Sequence, residues 1–474
     1  MKEKYSIMEG GKWRLLLALL GMSLLLFGVW RIFFQNDPRP PLPELLPNLP
    51  TYTIHATIDN EKQALSVTQE THYVNTTGQP LNQLIFRTYA NAYVQEGLPE
   101  NLTLYGTFID GEHVKTAYLD KGKTALSVPL VPLANGESVT LKMTYLLHVP
   151  TASFPFGKTA EGWQILHAFP MLSVFQNGAW DISPYTPQFP SPYTAFSNWE
   201  VYLNGLEGKT LVGGMPFSIK EGTHFGRLVG AQDFSFLLKD SATTKQTTQG
   251  NSLIKATGKD AKTVNATLKK AKEILAVYQK LYGDYPFQSL HISFSTMEMD
   301  HLVAPGMVVL RDTFSLESSS FELALARAMS QQWFFMKVAN DPLRSRWLPE
   351  GLSTWAMLCY VKEKYGQEAL EHQKMLRLYE PMQEYIPGGL TPSTHVDQFH
   401  DLSSYDAIMK GRGGALFDAL NLLTQGQLHA FLQHYIHDYA HKVIDVNTFE
   451  DALCAFTGVD AKGLIRDYIT GTVY

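Results

Sequence analysis

Cysteine is almost missing from this chain. Cys359 and Cys454 are the only two, far apart in sequence and both in helix-like surroundings. That excludes a disulfide framework and any zinc-ribbon spacing, and the pair reads as two buried free thiols. No run or stripe of Lys and Arg stands out, and the formal net charge is −6, so nucleic acid is excluded as a partner. No internal repeat is found, which excludes a solenoid. Only one long hydrophobic run exists, and it lies at the N-terminus. The remainder, within 474 residues of which 45% are hydrophobic, has room for two or three domains with sizeable cores.

That single run defines the first segments. Lys2, Lys4, Lys12 and Arg14 precede apolar residues from Leu15 to Trp30, and the run resumes after Arg31 as Ile32-Phe33-Phe34. This approaches the ~20 residues that span a bilayer. Trp13 and Trp30 suit the two headgroup regions, and Arg31 can snorkel to the interface beside Arg14 at the other end. The positive residues place the N-terminus in the cytoplasm and the bulk outside. A cleaved signal peptide competes, but the run is long for one and no small-x-small site follows. No lipobox cysteine follows either. The expected order is a cytoplasmic tail (1–12), a single-pass transmembrane signal anchor in the cell membrane (13–34), and a stiff Pro-rich spacer (35–50).

From Thr51 to Asp240 short alternating runs such as Tyr52-Thr53-Ile54-His55-Ala56 are separated by turn signals such as Asn135-Gly136. They predict an antiparallel β-sandwich domain over 51–240. The polar stretch from Ser241 to Gly250 reads as a loop or domain junction. Over 251–474 the pattern turns mixed. Val264, Leu268, Ala271, Leu275 and Tyr278 predict a helix from Asp260 to Leu281, ended by Gly283-Asp284-Tyr285-Pro286. A strand from Leu290 to Phe294 follows. Further helices are expected over 319–338, 351–365, 368–385, 413–423, 427–441 and 448–456. The fold class is thus α+β and multidomain.

The segment from Phe321 to Glu350 carries the chemistry. Zinc hydrolases of the H-E-x-x-H type place two histidines one helical turn apart, a general-base Glu after the first, and a further carboxylate ligand on a later helix. Here Arg327 and Gln331 hold the i and i+4 positions, Ala328 holds the position of the base, and Glu350 follows after 18 intervening residues.

Gln332-Trp333-Phe334, Asn340-Asp341-Pro342 and Trp347-Leu348-Pro349-Glu350-Gly351-Leu352 resemble the run after the second zinc histidine in the membrane alanyl aminopeptidase family of zinc metallopeptidases. Ser295-Thr296-Met297-Glu298-Met299 resembles its G-x-M-E-N substrate-binding strand, Phe169-Pro170-Met171-Leu172, Trp180-Asp181 and Gln232-Asp233-Phe234 resemble segments of its β domain, and Gly283-Asp284-Tyr285-Pro286-Phe287 resembles its G-x-Y-P-[FY] turn. The likeness runs from Tyr52 to the C-terminus. It implies a β-sandwich followed by a thermolysin-like α+β domain with a helical end. It also implies that Glu298, beside Met297, recognises a free amino terminus, and that Glu350 is a remnant zinc ligand.

The departures point to a degenerate member. Arg327, Ala328 and Gln331 leave no intact catalytic set, and no metal is expected. Bound zinc lowers the pKa of its water from ~15.7 to ~7, and general-base catalysis adds a factor of ~10²–10⁴. No register of the Lys410-Gly411-Arg412-Gly413-Gly414-Ala415 turn supplies the family's transition-state tyrosine, and Tyr405 upstream reads as a packing residue. Arg327 is expected to pair with Glu350 in place of the metal. The resulting expectation is an inactive pseudopeptidase that binds a peptide or protein or scaffolds a membrane complex. Two alternatives stay open: an active metallopeptidase with a rearranged site, with zinc as its cofactor, and a structural ectodomain whose cleft is filled.

Minor candidates remain. His434, His437 and His441, with Asp438, fall on one helical face as a surface metal site or, alternatively, a solvated face. Met299-Asp300-His301 adds polar groups near Glu298. Asn75, Asn101 and Asn265 begin glycosylation sequons that short chance matches also produce.

Overall fold

Thr51–Asp59 illustrates how the first half is built. Tyr52, Ile54, Ala56 and Ile58 are buried while His55 and Thr57 face outward, the two-residue period of a strand with one wet face. It pairs antiparallel with Ala64–Val74 and, on its other edge, parallel with Ser197–Asn204. The second pairing corrects the purely antiparallel expectation. The chain re-enters this sheet in the same direction only after a long excursion, which is what a parallel pair requires.

The computed structural model describes residues 42–471, apart from 95–96, 152–154, 187, 191 and 385–388. The anchor expected over 13–34, with Trp13, Arg14, Trp30 and Arg31, lies outside the described residues. Among those described, no helix is long and apolar enough to cross a membrane.

Thr51–Asp59 lies within an eight-stranded sheet, and two four-stranded sheets follow from the same half of the chain. An aromatic chain joins the layers. Tyr52 meets Trp199 at 4.3 Å between ring centroids, Trp199 meets Phe234 at 6.3 Å, and Phe234 meets Phe236 at 5.6 Å. One continuous apolar core runs from Tyr52 to Ile465.

The polar stretch expected as a junction is instead a strand, β1 (Thr243–Gln249), paired in register with β2 (Ser252–Gly258). Its β-branched threonines suit a pleated surface, and it is polar because it is an edge with mostly exposed side chains. Helix α1 (Ala261–Tyr282) follows. The Asp260 carboxylate accepts from the Thr263 amide at 2.7 Å, and Gly283 ends the helix at φ 87°, each as cap chemistry requires. Next come β3 (Ser289–Ser295), β4 (His301–Ala304) and β5 (Met307–Arg311), in the sheet order β1-β2-β3-β5-β4. The last two strands carry no sequence alternation because both faces are buried.

Helix α2 (Ser319–Phe334) is capped by Ser318 and buried along its length from Phe321; it ends four residues before the expected Val338. Helix α3 (Trp347–Tyr365) starts four residues before the expected Gly351. Pro349 sits in its first turn, where a missing N–H costs nothing. The helix expected over 368–385 is Gln367–Lys374, a π-helical stretch Met375–Tyr379 and Glu380–Glu384. A second π-helical stretch, Asp406–Arg412, joins Leu402–Tyr405 to Gly413–Leu423. The helix expected over 427–441 spans Leu428–Asp438, the one expected over 448–456 spans Val446–Thr457, and a further helix covers Lys462–Thr470.

One close approach positions the site. A Cβ on Gly351 would lie 2.6 Å from the backbone of Gly413. Glycine in the Trp-Leu-Pro-Glu-Gly run therefore lets helix Gly413–Leu423 press onto α3 beside Glu350.

Candidate ligand-binding cleft

The Ser318 hydroxyl accepts from the Phe321 amide at 3.2 Å and fixes the start of α2. From that start Arg327 and Gln331 lie one turn apart, and both line the cleft with Glu350 of α3. The Arg327 guanidinium donates through Nη2 to Glu350 Oε2, and through Nε to Thr354 Oγ1 at 3.3 Å. Its Nη1 faces His301 Nε2 at 3.4 Å. The other Glu350 oxygen, Oε1, lies 3.1 Å from Arg346 Nε and accepts from the Tyr405 hydroxyl at 2.8 Å. Arg346 Nε also donates to the Tyr405 oxygen at 2.7 Å. All six of these side chains are buried. Tyr405 stacks on Phe189 at 4.2 Å, so it both packs and bonds to the carboxylate, which corrects its reading as a packing residue alone.

Burial sets the electrostatics. It lowers the Arg327 pKa, yet a guanidinium stays charged at any physiological pH. His301 is held neutral, first by burial and then by the charges of Arg327 and Lys410. Burial and Arg327 also lower the Lys410 pKa, and burial raises that of Tyr405.

The remaining candidates separate. The Gln331 amide donates to Ser353 Oγ at 3.4 Å, and Ala328 is fully buried among core residues. Met297 and Glu298 lie in the bend after β3 rather than in a strand. Met297 packs on a small apolar cluster containing Leu302 and Val309. The exposed Glu298 side chain lines a cavity of about 210 Å³ together with Arg327, Gln331, Arg346, Glu350 and Tyr405. The Glu298 carbonyl accepts from Arg311, whose guanidinium pairs with Asp300 at 2.9 Å. Asp300 and His301 thus do join the cleft.

The histidine trio does not share a helical face. The helix ends at Asp438; His437 pairs with Asp438 in solvent, while His441 has φ 61° and bonds Lys337 at 3.0 Å. Asn75 and Asn101 are buried and hydrogen-bonded inside the fold, so of the three sequons only Asn265 is exposed. Cys359 is buried, Cys454 partly so, and both are free.

The residues of this cleft do not suit zinc. The i and i+4 positions hold a cation and an amide, and both oxygens of the remaining carboxylate are already met by guanidinium and hydroxyl donors. Among the described residues, no group of three or more His, Cys, Asp and Glu side chains is placed to hold a metal ion.

No protein-family model and no curated protein matches the sequence. Solved structures do match by shape. The M1 zinc metallopeptidase from Deinococcus radiodurans aligns over 91% of this chain and 96% of its own, with a TM-score of 0.64 at 15% identity. A mutant of the enzyme from that organism, bound to a Tyr-Ser-Ala substrate, aligns over 91% and 97% with a TM-score of 0.64 at 14% identity. Yeast LTA4 hydrolase in complex with bestatin aligns over 92% of this chain and 71% of its own, with a TM-score of 0.62 at 13% identity. The chain therefore has the fold of the M1 zinc metallopeptidases, with a buried arginine–glutamate pair joining α2 and α3.

Proposed function

We propose that this protein is a membrane-anchored, extracytoplasmic pseudopeptidase that binds a peptide or protein segment in its cleft without hydrolysing it. The observation that carries the reading is the Arg327–Glu350 pair. A permanently charged group stands against the carboxylate that a cation would need, and a second guanidinium and a hydroxyl hold that carboxylate's other oxygen. With no histidine at either helical position and alanine at that of the base, neither metal-activated water nor general-base assistance has a residue to supply it.

The cavity beside Glu298 supports binding over a purely structural role, because a filled cleft would leave no such space. Glu298 is exposed along its wall, where a carboxylate is available to a free amino group. Anchoring rests on the apolar run over 13–34.

The test uses the purified protein. Metal analysis after zinc loading, together with hydrolysis of an aminoacyl reporter, is expected to find neither stoichiometric zinc nor turnover. Turnover that requires zinc and disappears in Glu350→Ala would establish the active alternative. Membrane fractionation and protease accessibility in intact cells test the anchor, with the bulk of the chain expected outside.

A further inference from the structure

A second cavity, of about 280 Å³, lies against the N-terminal half of α2 and shares Asp300, His301, Arg311, Arg327, Asp406 and Lys410 with the first. Its charged lining is unequal: Arg311, Arg327, Arg377 and Lys410 against Asp300 and Asp406. Internal pairing uses most of it. Asp300 meets Arg311 at 2.9 Å, Asp406 meets Lys410 at 2.5 Å, and Arg327 meets Glu350. Arg377 is exposed and forms no ion pair among the described residues, so the cavity keeps an excess positive charge.

Two further lining residues carry N–H groups. His301 Nε2 faces the Arg327 guanidinium and so acts as the acceptor, which puts the ring proton of this neutral histidine on Nδ1. That Nδ1 is buried, and the Gln331 side chain is a hydrogen-bonding neighbour of the ring. Arg311 Nε is buried without an acceptor. Both residues line the cavity, and the Arg311 side chain keeps about a third of its surface exposed.

The backbone around the cavity is unusual in the same place. Leu376 and Arg377 come from one π-helical stretch, Asp406 and Lys410 from the other, and the two stretches pack together. Such turns are rare and occur at functional sites because the inserted residue re-aims the side chains around it.

We propose that this second cavity binds a carboxylate of the peptide held in the cleft, with Arg377 as its solvent-side cation and the partly exposed Arg311 as a further donor. The inference rests on the peptide-binding reading above. It goes beyond it by assigning the acidic end of the ligand to the lining around Arg377, which does not border the cavity that Glu298 lines. A carboxylate placed there also offsets the burial and Arg327 repulsion that act on Lys410. The carboxylate has two possible sources, the chain terminus of a short peptide and an acidic side chain of a longer one.

Calorimetric titration of the purified protein with Ala-Ala-Ala, Ala-Ala-Ala-amide and Ala-Glu-Ala-amide separates these. At least one carboxylate-bearing peptide is expected to bind about tenfold or more tighter than Ala-Ala-Ala-amide, the scale of one charge-assisted hydrogen bond. Preference for the free acid identifies a chain terminus, and preference for the glutamyl amide identifies a side chain. Arg377→Ala, at an exposed position that the fold tolerates, is expected to abolish most of that preference. Equal binding of all three peptides, or a preference that survives Arg377→Ala, overturns the carboxylate assignment and leaves the peptide-binding reading standing. Failure of all three to bind overturns both.

Discussion

Arg327 on α2 and Glu350 on α3 share one buried ion pair, and the carboxylate is also held by Arg346 and Tyr405. The arrangement is asymmetric. Glu350 has three donors, whereas Arg327 has one carboxylate and two weaker neutral partners, Thr354 and His301. The two residues therefore differ in what their removal leaves behind.

Glu350→Ala leaves the buried Arg327 guanidinium without its carboxylate, and breaking a buried pair from one side costs ~3–5 kcal/mol. Arg327→Met leaves Glu350 still bonded to Arg346 and Tyr405, so its cost is expected to be smaller by ~1 kcal/mol or more, the worth of the bonds that remain. Urea denaturation of the two variants measures the difference. Equal losses would mean that Arg346 and Tyr405 contribute nothing to holding the carboxylate.

Restoring the missing ligands tests whether the helix pair still has metal-binding geometry. In the combined variant Arg327→His, Ala328→Glu, Gln331→His, two imidazoles one turn apart face Glu350, whose Oε2 is released when the guanidinium goes. Stoichiometric zinc is expected in this variant, and none in Gln331→His alone, because the cation at 327 remains. Metal analysis after dialysis reads the outcome. A metal-free but folded triple variant would show that α2 and α3 no longer stand at ligand distance.

The core of this site was legible before the fold was known. The i, i+4 spacing of Arg327 and Gln331 and the distance to Glu350 in the chain put all three on the wall of one cleft. Arg346 and Tyr405 were not legible. Tyr405 borders the π-helical stretch Asp406–Arg412, and counting along the Lys410-Gly411 turn at 3.6 residues per turn misses where its hydroxyl arrives. Arg346 precedes its helix, where periodicity says nothing. In the fold, the capped and amphipathic α1 was readable almost to the residue. Strand β1 reads as a loop in the sequence because a polar edge has the composition of one. Strands β4 and β5, buried on both faces, gave no alternation to read.

Gly351 offers a test of the packing behind the site. In an open helix, Gly→Ala gains ~1 kcal/mol of helix propensity. Here the new Cβ would lie 2.6 Å from the Gly413 backbone, and overpacking of this kind costs ~1–3 kcal/mol. Gly351→Ala is therefore expected to lower Tm rather than raise it. Gly463→Ala is the control, since nothing lies within 4 Å of its Cβ position in helix Lys462–Thr470, and it is expected to hold or raise Tm. A gain in Tm from Gly351→Ala would mean that the two helices can separate at no cost.

Acid sensitivity follows from two histidines outside the cleft. His291 lies in β3, with Nδ1 accepting from the Gly213 amide at 3.4 Å and Nε2 bonding Thr257 Oγ1 at 2.8 Å. Its bonds need the neutral ring, and burial pushes its pKa down to about 3. His441 Nε2 faces Lys337 Nζ at 3.0 Å, and burial pushes its pKa down to about 4. Both folded values lie below the ordinary 6.5, so the unfolded chain binds more protons as pH falls. Their contribution to stability is complete above pH 6.5 and is lost as pH drops toward 4, at ~1.4 kcal/mol per pH unit for each ring once the unfolded histidines are charged. Urea denaturation at pH 7 and pH 5 is expected to show this loss, and His291→Gln is expected to reduce the difference between the two pH values by ~1–2 kcal/mol. An unchanged pH dependence in His291→Gln would mean that the ring already carries its proton in the folded state, and that Gly213 donates elsewhere.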